Sequence, residues 1–333
     1  MKAIQYGAYG GYAENSLVDI PEPEAADGQV LVDMKTVGIN PLDNTFRSGG
    51  HFAATAANLP RIGGQMGAGV VVGPGSSKFK VGDRVFVTGP GFGIIADGVW
   101  RERVAAPAAG LWPIPDHVDD DHAAAFLAGA GYLTGYLILT EFASFQPGQS
   151  ILAPGIGGAV GMESVQIARK LGASQAISTA STTAKAEQAH AAGYEHVIDL
   201  STEGLKDGVM RITGGKGVDV VIDGISGLLT REAVGCLTFG GTYAMVGYAG
   251  GREVNIDVTD VIWKAAKLRG FTLRAFAPDK LASALRALTG YLADGALQPT
   301  IAKVFPLSEA ADAVRYLIEA RPFGRVLMRV GGS

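Results

Sequence analysis

Apolar residues fall in short bursts along the chain, and what separates the bursts changes partway through. From Met1 to about Ile39 they alternate with polar residues and turn formers, a period-two pattern that predicts short strands. A strand is predicted over residues 30–37, set up by the turn region Pro21-Glu22-Pro23. Further strands are predicted over residues 70–72 and 81–87, the second introduced by Val81-Gly82-Asp83. Between them, residues 39–50 read as a loop leading into a short helix, and Gly89, Gly91, Gly93 and Gly98 mark irregular chain. This half is rich in strands and lacks strand–helix alternation.

From about Ala123 the pattern becomes strand–helix repeats. Strands are predicted over residues 151–153, 176–179, 197–199, 218–222, 242–246 and 268–273, with a helix over 184–192. Short apolar strands separated by helices predict a doubly wound parallel sheet, with ligand at the carboxyl ends of its strands. Residues 271–273 read as its exposed edge. The tail over residues 279–319 reads as mostly helical, and residues 325–330 as a last strand. Residues 123–140 carry no charge and approach membrane-spanning length, but aspartates precede them, Glu141 follows, and no basic flank is present. A buried helix pair near a domain junction is the expected outcome.

The organising stretch is residues 149–172, QSILAPGIGGAVGMESVQIARKLG. Ile151, Leu152 and Ala153 form the strand; Gly155, Gly157, Gly158 and Gly161 follow; Gly161, Val165 and Ala168 then share one helical face, and Gly172 stops the helix. Glycines at this place let the backbone turn sharply and approach a pyrophosphate, and the helix N-terminus offers free N–H groups to the anion. The spacing therefore predicts a dinucleotide site. An NAD-preferring site carries an acid about 20 residues after the glycines, where the second strand ends. Ala180 stands there instead, followed by Ser181, Thr182, Thr183 and Lys185, and the next carboxylate is Glu187. One ammonium and several hydroxyls suit a 2′-phosphate, so the expectation is NADP(H).

Hydrophobic residues make up 47% and charged residues 18% of the 333, which indicates a well-packed globular chain long enough for two domains sharing a cleft. With a net charge of −4 and no long Lys/Arg cluster, a nucleic-acid partner is disfavoured. Cys236 is the single cysteine, which rules out an intrachain disulfide and a multi-cysteine zinc site within one chain. The opening MKAIQYGAYGGY lacks the basic-then-apolar order of a signal peptide, so a cytoplasmic protein is expected.

The motifs MKAIQY at the start, GINPLDNTFRSG at 38–49, FKVGDRV at 79–85, LTGY at 133–136, GGAVG at 157–161 and GRVLM at 324–328 occur in the right order for a known family. The chain resembles the medium-chain dehydrogenase/reductase superfamily and, within it, the zinc-free quinone oxidoreductases of the zeta-crystallin-like group. The resemblance implies an α/β chain. A GroES-like, partly open β-barrel catalytic domain would span residues 1–122 and a Rossmann NADP(H)-binding domain 123–265. Residues 266–333 would form a segment returning to the first domain. Where the zinc enzymes of the superfamily carry a Cys and a His-Glu pair, this chain has Asn40, Gln65 and Met66. Amide and thioether groups do not suit zinc, and the five histidines show no ligand spacing, so a metal-free protein is expected.

The resemblance further implies a set of cofactor contacts. Asn40 and Thr134 would hold the nicotinamide end, although each is also able to bond only nearby backbone. Gly155, Gly158, Ala159, Val160 and Gly161 would line the pyrophosphate. Ser181, Thr182 and Lys185 would hold the 2′-phosphate, and Gly247, Tyr248 and Phe271 would border the cofactor. Arg325 either reaches a phosphate or is a solvated surface residue. Asn40, Thr45 and His51 would line the substrate pocket. His51 stands where many relatives have Tyr, and it either shapes the pocket or donates a proton; the first role is favoured. Thr45 and Leu200 replace aromatics common in relatives. The implied activity is NADPH-dependent, zinc-independent hydride transfer to a quinone by a homodimer. The alternatives are an enone or enal double-bond reductase, and a low-turnover structural or RNA-binding relative.

Overall fold

The computed structural model describes residues 1–51, 54–55, 59–89 and 91–331, and within them the chain divides into two units. One unit begins with β1 (Lys2–Tyr6), β2 (Ser16–Asp19), β3 (Gln29–Ile39), α1 (Pro41–Arg47), β4 (Arg61–Ile62), β5 (Met66–Gly73), β6 (Arg84–Thr88), β7 (Arg103–Pro107), β8 (Leu111–Pro113) and α2 (Asp120–Leu127). The other contains α3 (Gly131–Leu137), β9 (Ser150–Ala153), α4 (Ala159–Lys170), β10 (Gln175–Ala180), α5 (Thr183–Ala191), β11 (Val197–Asp199) and α6 (Leu205–Thr213). It continues with β12 (Val218–Asp223), α7 (Leu229–Gly235), β13 (Leu237–Met245), α8 (Val258–Trp263), β14 (Lys267–Gly270) and α9 (Pro278–Ala293). The chain then returns to the first unit with β15 (Ile301–Pro306), α10 (Ala310–Arg315) and β16 (Arg325–Arg329).

The first unit is built on a curved sheet of order β15-β16-β3-β5-β6-β8, with β7 also paired to β3 and a small sheet β2-β1-β4 beside it. Val30, Val32 and Met34 alternate inward along β3, as the period-two pattern predicts. Two register shifts along its pairing with β5 bend β3, which lets one long strand serve three partners. Trp100 fills the centre of the core and donates its indole N–H to the Gly38 carbonyl at 3.1 Å. A Cβ on Gly64 would lie 2.1 Å from that ring, so the crossing of chain and ring admits only glycine.

The second unit is a parallel sheet of order β11-β10-β9-β12-β13-β14. Numbered along the sheet, the order reverses between β9 and β12, the switch point at which doubly wound sheets take their ligands. Both architectures match the expected fold class.

Four details depart from the expected elements. Residues 81–83 are a turn, and the strand placed at 81–87 begins at Arg84. The sheet edge is β14, ending at Gly270; Phe271 gives its N–H to Met245, and Leu273–Ala275 form a 3₁₀ turn capped by Thr272. β15 lies within the tail that reads as helical. The division falls at Gly129/Ala130 and Leu297/Gln298 rather than at 122/123 and 265/266. Residues 266–297 stay with the second unit because α9 is tied to it: Lys170–Asp294 and Lys280–Glu141 pair at 2.8 and 2.9 Å, and Tyr136 meets Tyr291 edge-on. The uncharged stretch 123–140 resolves into α2 and α3, the latter continuing as a π-helical turn Ile138–Phe142. Among the described residues no single helix is long and apolar enough to cross a membrane.

Candidate active site

At the end of β9 the chain turns through Gly155, whose φ of +86° is in the left-handed region that favours glycine. Gly155 donates its N–H to Thr179 Oγ1 at 3.0 Å, and Ile156 donates to the Thr179 carbonyl at 2.8 Å, so the turn is pinned to the neighbouring strand. A Cβ on Gly161 would lie 2.3 Å from the Gly155 carbonyl oxygen, so the first turn of α4 sits against the strand end. Gly158 is the N-cap of α4. It has no side chain to cap the helix, and no acid occupies the first turn. The N–H groups of Ala159, Val160 and Gly161 are therefore left for an anion. A Cβ on Gly158 would meet only the Gly155 oxygen, at 3.5 Å, so the approach is open on that side.

Two more strand ends close round this turn within the second unit. Asp223, buried at the end of β12, accepts N–H bonds from Ile225 and Ser226 at 2.8 Å each and the hydroxyl of Tyr243. Burial and the neighbouring carboxylate push the Tyr243 phenol far above its ordinary range, so it stays a proton donor to Asp223. The loop held in this way brings Gly224 against Val160, and Ser226 Oγ donates to the Gly247 carbonyl at 2.7 Å. Tyr248 is half exposed with the Arg252 guanidinium over its ring. Phe271 is half-buried and packs against Phe142 and Phe276. Thr134 is buried on α3.

The end of β10 carries the expected hydroxyls and ammonium. Ser181 is exposed. Thr182 caps α5 by accepting the Lys185 N–H at 3.4 Å, and Lys185 is half-buried with no ion pair among the described residues. Sequence reasoning missed one residue here. β10 and β11 pair in a register that sets Asp199 directly beside Ala180. Its Oδ2 accepts from Thr183 Oγ1 at 2.6 Å, and its Oδ1 from the Ser201 N–H at 2.9 Å and Ser201 Oγ at 2.5 Å. Hydrogen bonds from Ser201 and Thr183 hold its carboxyl below the usual range. The signal available in the sequence was Asp199 as the last residue of its strand; the register was not. Leu200 gives its N–H to Ala180 and is half-buried.

In the first unit, Asn40 is buried and caps α1: its Oδ1 accepts the Leu42 N–H at 2.8 Å, and its own N–H goes to Asp43 Oδ2 at 2.9 Å. Gln65 Nε2 donates to Asp43 Oδ1 at 3.0 Å. Thr45 spends its hydroxyl on the Pro41 carbonyl. His51 is half-buried with its ring 4.1 Å, centroid to centroid, from Phe46. Arg325 is buried in β16, which removes its reading as a solvated surface residue.

The donor set at the zinc enzymes' ligand positions does not fit that metal. The Asn40 carboxamide oxygen is committed to a helix cap, Gln65 is an amide that donates to Asp43, and Met66 is a thioether. Among the described residues no three His, Cys, Asp or Glu side chains converge as metal ligands.

Asp43 has a consequence for stability. Burial pushes its carboxyl up to about 6, against the hydrogen bonds from Gln65 and Asn40. A carboxyl raised in the fold favours the folded state below its unfolded value of about 3.9, and loses that contribution as pH rises through about 6. Asp43→Asn removes the titration. Its urea-unfolding stability relative to the parent should therefore improve by about 3 kcal/mol between about pH 4 and about pH 7. A stability difference that stays flat across this window would contradict the assignment.

Residues 26–116 match the model of the alcohol dehydrogenase GroES-like domain and residues 159–290 that of the zinc-binding dehydrogenase family. The synaptic vesicle membrane protein VAT-1 homolog of Rattus norvegicus is 31% identical, over 99% of this chain and 84% of its own length. The quinone oxidoreductase of Sus scrofa is 30% identical over 96% and 95%. Among solved structures, an NAD-dependent alcohol dehydrogenase superposes with a TM-score of 0.88 at 29% identity, over 99% of this chain and 100% of that one. The Escherichia coli quinone oxidoreductase complexed with NADPH gives 0.86 at 26%, over 99% and 100%. The glycine turn, the sheet order and these likenesses agree: the chain belongs to the medium-chain dehydrogenase/reductase superfamily, in its quinone oxidoreductase group, and is an oxidoreductase.

Proposed function

We propose that the chain is an NADPH-dependent, zinc-independent reductase that delivers hydride to a quinone. The observation that carries this is the uncapped N-terminus of α4 behind Gly155 and Gly158, with an unpaired-by-charge Lys185 after Ala180 among the described residues. The relatives named as quinone oxidoreductases, one of them complexed with NADPH, support it. When bound, the nicotinamide supplies the hydride. The first turn of α4 holds the pyrophosphate through backbone N–H groups, and Ser181, Thr182 and Lys185 hold the 2′-phosphate. The Asp223–Tyr243 pair keeps the Gly224 and Gly247 loops in place beside it. Within the second unit, buried Thr134 orients the nicotinamide. Hydride addition to a quinone leaves an anion delocalised onto oxygen, which takes its proton from water, so no Lewis acid is required.

A steady-state comparison of simple quinones and enones with NADPH tests this reading. Quinones should give the higher kcat/KM, by about tenfold or more, a difference of about 1.4 kcal/mol in transition-state binding. Faster turnover of enones would assign the chain to double-bond reduction, and no NADPH oxidation with either would overturn the reductase reading.

We also propose that a second copy of the chain covers the β14 edge. Among the described residues β14 pairs on one side only, and Phe239, Val258, Ile262 and Trp263 are exposed in the same unit. An open strand edge with exposed apolar residues in the same unit invites pairing. Light scattering at micromolar concentration should give a dimer, and Trp263→Asp together with Ile262→Asp should give a monomer. A monomeric parent would refute the proposal.

A further inference from the structure

Ala180 leaves the end of β10 without the acid that reads a ribose 2′-hydroxyl, yet the sheet places a carboxylate at the same level one strand over. Asp199 is register-paired with Ala180. Its Oδ2 is bonded to Thr183 Oγ1 at 2.6 Å, and Thr183 is the first residue of α5. The carboxylate therefore lies one side chain away from the helix N-terminus that follows Ser181 and Thr182. Oδ1 is occupied by the two Ser201 bonds, whereas among the described residues Oδ2 carries only the Thr183 bond and keeps acceptor capacity. The side chain is half-buried, so a ligand at the strand ends can reach it.

We infer that Asp199 is a cofactor-specificity residue, delivered by β11 instead of β10, that accepts the ribose 2′-hydroxyl of NADH and opposes the 2′-phosphate of NADPH. This rests on the dinucleotide reading above and deepens it: Lys185 draws in the phosphate, Asp199 repels it, and the chain uses both cofactors. The hydrogen bonds from Ser201 and Thr183 keep Asp199 ionised across the neutral range, so the opposition is constant there. Thr183 is also withdrawn from the phosphate, since its hydroxyl is given to Asp199. The preference of the parent for NADPH over NADH is consequently modest, about tenfold.

The test is titration of NADPH and NADH against the parent, Asp199→Asn and Asp199→Ser, at low and high salt. Removing the charge should raise the ratio of the NADH to the NADPH dissociation constant by about fivefold, the size of a like-charge repulsion across about 4 Å of bulk water. Added salt should shrink that gain, because the repulsion is screened. Two variants of different size guard against a local misfold in either, which circular dichroism would report. A ratio that is unchanged or that falls in both variants, while the parent binds both cofactors, overturns the role of Asp199 and leaves the dinucleotide reading intact. A parent that binds neither cofactor overturns both.

Discussion

Gly161→Ala lowers NADPH affinity by about 100-fold and reduces the melting temperature. The new Cβ would sit 2.3 Å from the Gly155 oxygen, 2.6 Å from its carbonyl carbon and 2.7 Å from the Pro154 oxygen. All three are backbone atoms, so no side chain can swing aside, and α4 has to withdraw from the end of β9. Overpacking of this kind costs about 1–3 kcal/mol of stability. The withdrawal also moves the N–H groups of the first helical turn off the pyrophosphate, where each charge-assisted bond contributes about 1.5–3 kcal/mol. Gly158→Ala separates the two effects. Its Cβ meets only the Gly155 oxygen at 3.5 Å, ordinary contact, and its φ of −96° suits any residue. That variant should melt like the parent and still bind NADPH less tightly, since the methyl occupies the space left for the ligand. Parent-like binding and melting in Gly161→Ala would show that the cradle is not where the cofactor sits.

The parts of this site that could be read from the sequence are those whose causes are local. Residues 197–199 carry their strand in their own apolar residues, and Gly155 declares its turn by lacking a side chain. Thr182, followed three residues later by Lys185, marks a helix start that the fold contains. What escaped depends on pairing between distant segments. Asp199 lies beside Ala180 only because β11 slides to one register against β10, and nothing within either strand states that offset. Nothing in residues 39–50 marks Asp43 as buried; the folded unit encloses it, and that burial lifts its titration against the hydrogen bond that Gln65 brings from the start of β5. β15 was hidden because Ile301–Pro306 has little alternation of its own; it is a strand by virtue of lying parallel to β16. The sheet edge ends at Gly270 rather than continuing through Leu273 because β13, the strand it pairs with, ends at Met245.

Lys185→Ala should weaken NADPH by about 10–100-fold and leave NADH within about twofold of the parent. The removed contact is worth about 1.5–3 kcal/mol, and each 1.4 kcal/mol is a factor of ten. Lys185 is half-buried on the first turn of α5, its backbone N–H capped by Thr182 at 3.4 Å, and no ion pair among the described residues holds its ammonium. Nothing in the fold therefore depends on the charge, and the melting temperature should not change. The selectivity of the loss follows from the chemistry of the two cofactors: they differ only at the 2′ position, and only a phosphate there rewards an ammonium. Lys185→Arg should restore most of the NADPH affinity, because the guanidinium keeps the charge and adds donors. With Lys185 gone, Asp199 is left as the nearest charge to the 2′ position in this reading, so the variant should favour NADH. Equal losses for both cofactors in titration would place Lys185 at a part of the dinucleotide that the two share, and would end the assignment of this helix start to the 2′-phosphate.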